Sequence, residues 1–244
     1  PGRSSEPAVE LMRLLERTVR KSQAVDIESL CVVAGRRVWS VRCDLTVLDH
    51  RGNLTDATVL AAIGALKHLR LPGVDISGSG DEATVRVLGA DQAEPTPLVF
   101  HHLPVAVSYA FFRSAEGGPL LSALDPTERE EQVMLGGMTA VVNQHQELCA
   151  LHKPGGLPLP TDVLLESVQH AATVVPARLQ LLHDALRAHA ERVAAIAEHL
   201  RRHGRLPTRS LGGEAVVVDT SRPTTADRPA AEAGSASRKK RRVD

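Results

Sequence analysis

The chain has 244 residues, enough for one large domain or two small ones. Its hydrophobic content of 43% is sufficient for a packed core, and no apolar run is long enough to span a bilayer. Lys plus Arg and Asp plus Glu each number 29, so the net charge is zero and does not indicate a nucleic-acid binder. Any contact with RNA would therefore use a local basic surface.

Three widely spaced cysteines, Cys31, Cys43 and Cys149, form neither a C-x-x-C pair nor a disulfide framework. This pattern is typical of a reducing compartment, the cytosol or the nucleus. We interpret the cysteines as buried free thiols rather than metal ligands.

The first quarter of the chain predicts a helix followed by a hairpin. PAVELMRLLERTVRKSQAVD has apolar residues at helical spacing, with Ser5 as a candidate cap. LCVV (30–33) and the alternating segment VWSVRCDLTVL (38–48) predict two paired strands around the turn AGRR. The alternation places Trp39, Val41 and Cys43 on the buried face of a half-buried strand.

The middle of the chain predicts a helix and three strands. Asp56 stands where a helix cap belongs, before ATVLAAIGALKHL. LPGVDISGSGDE and GADQAEPTP predict loops, and ATVRVLG between them predicts a strand. LVFHHLPVAVSYAFF (98–112) predicts a long apolar strand with Leu103, Val105 and Val107 on one side, and PLLSAL predicts another strand.

The last part predicts a hairpin, a rigid loop, a long helix and a tail. VMLGGMTAVV and ELCALHK form the predicted hairpin, and PGGLPLP forms the loop. The helix begins at Thr161, is expected to kink at Pro176 and is capped by Gly204. From residue 207 the chain is poor in apolar residues and is expected to be disordered. The order of elements predicts an α+β fold, with a domain over 1–206 and a tail over 207–244.

The acidic stretch SALDPTEREEQV (122–133) is the first candidate site. Clustered carboxylates can hold a metal or move protons. They are more often a solvated turn, here with Asp125 capping Thr127 or Glu128 and the glutamates in solvent.

Three further motifs favour structural interpretations. His101 and His102 are adjacent in a predicted strand, so they point in opposite directions and cannot converge on one ligand. The pair His199 and His203 has zinc-binding spacing but sits at a helix end, where compensation of the helix dipole is the simpler role. PGG (154–156) lacks the Lys-Ser/Thr of a phosphate-binding loop and predicts a plain turn.

Several segments together resemble the RNase PH family, and within it the RNase PH-type ring subunits of the eukaryotic RNA exosome. The segments are VWSVRCDLTVLDHRGNLTDATVLAAIGAL, FHHLPVAVSYAFF and LDPTEREEQVMLGGMTAVVNQHQELCALHKPGG, in the family's order. The resemblance covers about residues 4 to 203 and implies an RNase PH-like fold (ribosomal protein S5 domain 2-like). It also implies that strands bearing a phosphate-binding arginine normally precede Ser4, so the fold is expected to be truncated at its start.

The resemblance bears directly on the acidic stretch. Active members of the family cleave RNA with phosphate and carry two aspartates six residues apart in this segment. Here the corresponding residues are Asp125 and Glu131. The glutamate side chain is one methylene longer than aspartate, which moves its carboxylate by roughly 1.5 Å. A misplacement of about 1 Å can lower a reaction rate ~100-fold. With no arginine clamp in view, the resemblance implies a non-catalytic subunit with no cofactor and no metal. An active phosphate-dependent 3′-to-5′ exoribonuclease is the alternative, and a tail-mediated interaction protein is a third possibility.

The resemblance also implies partners and a location. The partners would be other RNase PH-type ring subunits, RNA-binding cap subunits and single-stranded RNA held weakly without sequence preference, with no role for DNA or a membrane. RNA would be threaded to a nuclease bound elsewhere, in rRNA maturation and mRNA decay. The basic block RKKRR predicts nuclear import and hence the nucleus and nucleolus as well as the cytoplasm. Its residues are Arg238, Lys239, Lys240, Arg241 and Arg242.

Overall fold

A computed structural model describes residues 6–78, 84–89, 91–114 and 118–204. The chain divides into two units, Pro1–Ala194 and Ala195–Asp244, with the boundary inside the last helix. Ser5 and the stretch 205–244, with its expected disorder and the RKKRR block, lie outside the described residues. Within the described ranges, no helix is both long and apolar enough to cross a membrane.

The helices account for both ends of the described chain. Helix α1 (Glu6–Leu15) continues as a π-helical turn (Glu16–Lys21), and a 3₁₀ turn covers Glu28–Leu30. Helix α2 is Leu54–His68, α3 is the short Glu128–Val133, and α4 is Thr161–His203. Pro176 lies inside α4, and Gly204 has a φ of +63° and donates its N–H to the carbonyl of Leu200, as predicted for a cap.

The central sheet has four strands, which are β7 (Val105–Arg113), β8 (Leu120–Leu124), β9 (Gly136–Val142) and β10 (Leu148–His152). They are antiparallel and lie in the order β10-β9-β7-β8. The predicted hairpin β9–β10 and the predicted strand β8 are therefore confirmed. The long strand begins at Val105 rather than at residue 98, because residues 98–104 make only an isolated bridge from Phe100 to Val25.

The hydrophobic core lies around β7, whose residues 105–111 are all buried. The cluster also includes Val59 and Ile63 of α2, Ala171, Val175 and Leu179 of α4, and buried residues of β9. Because both faces of β7 are covered, the strand is an almost continuous apolar run.

Three small sheets flank the central one. Strands β1 (Cys31–Val33) and β2 (Arg37–Val38) form the predicted hairpin, and β3 (Arg70–Leu71) pairs with β6 (Thr96–Pro97). Strand β4 (Val74–Ser77) pairs with β5 (Thr84–Val87) in antiparallel register. The prediction of a loop over 71–82 is therefore wrong at β4. This strand has only four residues, one of them Asp75, so its apolar alternation is too short to indicate a strand.

The predicted strand 38–48 is also wrong beyond Val38. Residues 39–50 form no regular structure, and Val47 and Leu48 are 52% and 94% exposed. The alternating pattern is present in the sequence, but a strand requires a hydrogen-bonded neighbour along its length. The N–H of Trp39 donates to the carbonyl of Leu30 at 2.8 Å, and beyond it the described residues supply no backbone partner for residues 40–48. For the same reason Cys43 is exposed; Cys31 is exposed as well, and only Cys149 is partly buried, so the expectation of three buried thiols is wrong.

The buried hydroxyl of Thr18, in the π-helical turn, leads to a prediction about stability. Its side chain is fully buried, and its hydroxyl has no hydrogen-bond partner among the described residues. Thr18→Val removes this unpaired group at similar volume, so we expect the free energy of unfolding to rise by about 1 kcal/mol. Thr139→Val is the matched control: its buried hydroxyl lies 2.9 Å from Ser108 Oγ, so its loss should cost about 1 kcal/mol. Urea denaturation with an unchanged m-value measures both, and destabilisation by Thr18→Val would contradict the assignment.

Candidate functional site

The site begins at the turn between residue 50 and α2. Asn53 is the N-cap of α2 in left-handed conformation (φ 44°), and its side chain accepts from the N–H of Asp56. Gly52, at φ +111°, lies so close to the turn 126–128 that a Cβ would overlap backbone atoms of that turn. Asp56 is therefore in the first turn of the helix, and the prediction that Asp56 is the cap is wrong.

Asn53 brings the two predicted carboxylates together. Its backbone N–H donates to Oε1 of Glu131 at 2.8 Å, and its Nδ2 donates to Oδ1 of Asp125 at 2.5 Å. The same Nδ2 is 3.0 Å from Oδ2 of Asp56. Asp125 and Glu131, six residues apart in sequence, thus share one structural partner that is buried.

The residue that caps the helix after Asp125 differs from the prediction. Asp125 has a left-handed φ of 56°, and its own N–H donates to the carbonyl of Ser108 at 3.2 Å. The N-cap of α3 is Thr127, which forms a capping box with Glu130. The hydrogen bonds that the Thr127 backbone and hydroxyl donate hold the pKa of Glu130 below its usual range. Asp125 caps neither Thr127 nor Glu128, because its carboxylate is turned to Asn53.

Asp56 is the buried anion of the site. It accepts from the N–H and the hydroxyl of Ser108 at 3.2 and 2.6 Å, and from Nη1 of Arg178 at 2.5 Å. Arg178 also donates to the carbonyl of Ala106 at 2.7 Å. The carboxylate is therefore paired and hydrogen-bonded, which is the condition under which a buried charge is tolerated.

Tyr109, the single tyrosine of the chain, lies beside this network. Its hydroxyl is 3.0 Å from Nδ1 of His170. Burial raises the pKa of Tyr109 to about 12, an effect that Arg178 opposes and Asp56 reinforces. The phenol therefore remains protonated at neutral pH, and its contribution to stability is present below pH 10 and lost as the pH rises through 12.

A cavity of about 340 Å³ opens next to Asn53. Most of its lining is apolar, and the polar part includes carboxylates, imidazoles and hydroxyls. The lining residues are Pro7, Glu10, Leu11, Leu14, His50, Asn53, Leu54, Thr55, Ser108, Tyr109, Pro126, Glu131, Met134, Gly137, Met138, Thr139, His152 and Pro154.

The charges of this cavity are unfavourable for an attacking phosphate. Glu10 and Glu131 carry its formal charges, and its described lining includes neither lysine nor arginine. A phosphate in such a site would meet carboxylates without a cationic clamp. Among the described residues, no group of three or more His, Cys, Asp or Glu is arranged to hold a metal ion.

The remaining predicted motifs do not join the site. His101 lies 3.9 Å from Asp26, whereas His102 contacts the carbonyl of Ser22 at 2.8 Å, so the two histidines have separate partners. The rings of His199 and His203 stack on each other with centroids 4.2 Å apart. PGG (154–156) is irregular, with both glycines at positive φ, as expected of a turn.

Asn53, Ser108 and Arg178 were missed as site residues. Each left a signal in the sequence: Asn53 ends the turn DHRGN, and Ser108 is the one polar residue in the apolar run VAVSYAFF. Arg178 is a cation in a stretch of α4 that otherwise packs on the core through Val175 and Leu179. None of these signals reveals which partner each residue meets.

The antiparallel sheet, the helices packed on it and the carboxylate-bearing turn beside Asn53 define an α+β protein with an RNase PH-like fold. The models of the 3′ exoribonuclease (RNase PH) family match residues 1–72 with domain 1 and residues 102–173 with domain 2. The chain therefore belongs to the RNase PH family.

Two of the similar proteins are named as components of the exosome complex. The chain is 46% identical over 186 residues to "Exosome complex component RRP45" of Bos taurus, covering 76% of this chain and 40% of that protein. It is 39% identical over 218 residues to "Exosome complex component RRP45A" of Arabidopsis thaliana, covering 89% of this chain and 69% of the relative. The chain thus spans less than half the length of the cattle relative.

Two solved structures are similar as well. The Archaeoglobus fulgidus exosome with RNA bound to the active site matches with a TM-score of 0.57 at 28% identity, covering 73% of this chain and 64% of that chain. An archaeal exosome core matches with a TM-score of 0.56 at 27% identity, covering 75% and 64%.

The pair Asp56–Arg178 generates a prediction on stability. Asp56→Ala leaves the guanidinium of Arg178 partly buried without its carboxylate, so we expect a loss of about 3–5 kcal/mol. The matched control is Asp184→Ala in the exposed pair Asp184–Arg187 of the same helix, where the loss should stay below about 1 kcal/mol. Chemical denaturation measures both variants, and equal losses would contradict the role assigned to Asp56.

Proposed function

We propose that the chain is a non-catalytic structural subunit of the RNA exosome core ring. In this role it supports 3′-to-5′ RNA processing and degradation, including rRNA maturation and mRNA decay, by helping to thread RNA to a nuclease elsewhere. The family membership, the relatives named as exosome components and the fold shared with archaeal exosome cores support the assembly.

The observation that carries the non-catalytic part is the use made of Asp125 and Glu131. Each carboxylate holds Asn53, at distances of 2.5 and 2.8 Å, and so stabilises the start of α2. The cavity beside them contains carboxylates and no cation in its described lining. Phosphorolysis requires positive groups on the attacking and transferred phosphates, and this arrangement offers the opposite charge.

A basic stripe on the first helix supports weak contact with single-stranded RNA. Arg13, Arg17, Arg20 and Lys21 are exposed along α1 and its π-helical turn, and their side chains have no ion-pair partner among the described residues. Such a stripe attracts the phosphate backbone without reading sequence, which suits a conduit for RNA. The proposed protein partners are other RNase PH-type ring subunits and RNA-binding cap subunits.

The proposed location is the nucleus and nucleolus, also the cytoplasm. It rests on the five consecutive basic residues of RKKRR, a pattern typical of import signals. The three cysteines without a pairing pattern are compatible with these reducing compartments.

Substitution at Asp125 separates a structural from a catalytic carboxylate. Asp125→Asn keeps an oxygen that accepts from Asn53, so we expect parent-like stability, whereas Asp125→Ala leaves the amide short of one partner and should cost about 1 kcal/mol. Neither variant should change phosphate-dependent RNA degradation by an assembled complex. Glu131→Asp restores the spacing of active relatives, and we expect no activity to appear.

The assay is release of nucleoside diphosphate from single-stranded RNA, with and without phosphate and magnesium. The decisive sample contains this chain as its only RNase PH-type subunit. If that sample releases diphosphate and both Asp125 variants abolish the release, the chain is an active phosphate-dependent exoribonuclease and the non-catalytic assignment is wrong.

Import is tested on the basic block alone. Alanine at all five positions from Arg238 to Arg242 removes the cationic cluster, and we expect a tagged chain to lose nuclear accumulation. A control with lysine at Arg238, Arg241 and Arg242 preserves every charge and should stay nuclear. An alanine variant that is as nuclear as the parent would refute an import role for the block.

A further inference from the structure

The cavity beside Asn53 has the properties of a binding site for a ligand other than phosphate. Its volume of about 340 Å³ falls within the range of small-molecule pockets, roughly 300–1,000 Å³. Leu11 and Leu14 of α1 line it together with Met134 and Met138, so much of its wall is apolar. Tyr109 also contributes to the lining.

The charges in this cavity all have one sign. Glu131 is held in place because its Oε1 accepts from the N–H of Asn53, while its Oε2 has no hydrogen-bond partner among the described residues. Glu10, on the exposed side of α1, is likewise without a side-chain partner in the described part of the chain. The lining therefore presents carboxylate oxygens that are still able to accept.

We propose that this cavity binds an arginine side chain carried on an exposed segment of a partner protein. The arginine stem is apolar and suits the leucine and methionine wall, while its guanidinium suits the carboxylates of Glu10 and Glu131. The planar guanidinium can also donate two parallel hydrogen bonds to one carboxylate, which favours arginine over lysine. Charge complementarity identifies the occupant, because the described lining provides negative charge without a cation of its own.

The inference goes beyond the proposed function and does not depend on ring assembly. It assigns a binding role to Glu10 and Glu131, the two carboxylates in the cavity lining. RNA is excluded from the same cavity by repulsion between phosphates and the two glutamates. RNA contact through the basic stripe of α1 and arginine binding in the cavity are thus separate properties with separate tests.

Isothermal calorimetry with the whole chain tests the proposal. The probe is the blocked pentapeptide acetyl-Ala-Leu-Arg-Leu-Ala-amide, and the neutral control carries citrulline in place of arginine. We expect the arginine peptide to bind and the citrulline peptide to bind much more weakly. The corresponding lysine peptide should bind less tightly than the arginine peptide, and free spermidine should bind less tightly still.

Charge-neutral variants locate the binding. Glu131→Gln keeps an oxygen for the N–H of Asn53, and Glu10→Gln changes an exposed helical position, so both should retain the fold by circular dichroism. Each substitution should lower the affinity for the arginine peptide about threefold to fivefold, the range expected for loss of a partly exposed ion pair. Glu191→Gln, on an exposed position of α4 outside the cavity, is the matched control and should bind like the parent.

Several results would overturn the proposal. Absence of heat with millimolar arginine peptide, equal binding of the citrulline peptide, or unchanged affinity in both glutamine variants would each do so. Tighter binding of spermidine than of peptide would replace the protein partner by a small polyamine. If Glu131→Gln fails to fold, Glu10→Gln with its Glu191→Gln control still decides the question. None of these results bears on diphosphate release, so the non-catalytic assignment stands or falls separately.

Discussion

The buried charge of Asp56 is the constraint on which the rest of the molecule depends. A carboxylate that is 8% exposed is tolerated only if each of its oxygens is occupied, and the donors come from distant parts of the chain. Ser108 supplies two bonds from the central strand, Arg178 supplies an ion pair from the last helix, and Asn53 supplies its amide. Helix α2, strand β7 and helix α4 are therefore fixed to one another by a single anion.

Local chemistry predicted many elements but not the contacts between them. The hairpin of β9 and β10 and the cap at Gly204 follow from alternation and turn residues within about 20 positions, a range in which sequence patterns are informative. The bonds of Asp56 to Ser108 and Arg178 span 52 and 122 residues, so no local pattern contains them. The prediction for 39–48 failed for a related reason, because the partner strand β1 has only three residues and pairs no further than Val38.

Most carboxylates of the acidic stretch take part in structural contacts. The spacing of Asp125 and Glu131 places both carboxylates on Asn53, an arrangement that a family resemblance alone does not reveal. Within the same stretch Glu130 belongs to a capping box, so three of its four acids have structural partners. The sequence predicted the acidic turn, whereas the contacts of these acids with Asn53 and Thr127 depend on how distant segments fold together.

Gly52 has a consequence for how the two family segments, 1–72 and 102–173, stay in register. The backbone at Gly52 packs directly against the backbone of the turn 126–128. Next to it, the carbonyl of Arg51 accepts a hydrogen bond from the N–H of Glu128 at 2.8 Å. Contacts of this kind carry no side-chain information. The junction therefore tolerates wide variation in the flanking side chains, such as Arg51 and Glu128, but it cannot absorb an inserted or deleted residue in either turn. This backbone contact therefore constrains the number of residues in the two turns more than it constrains their side chains.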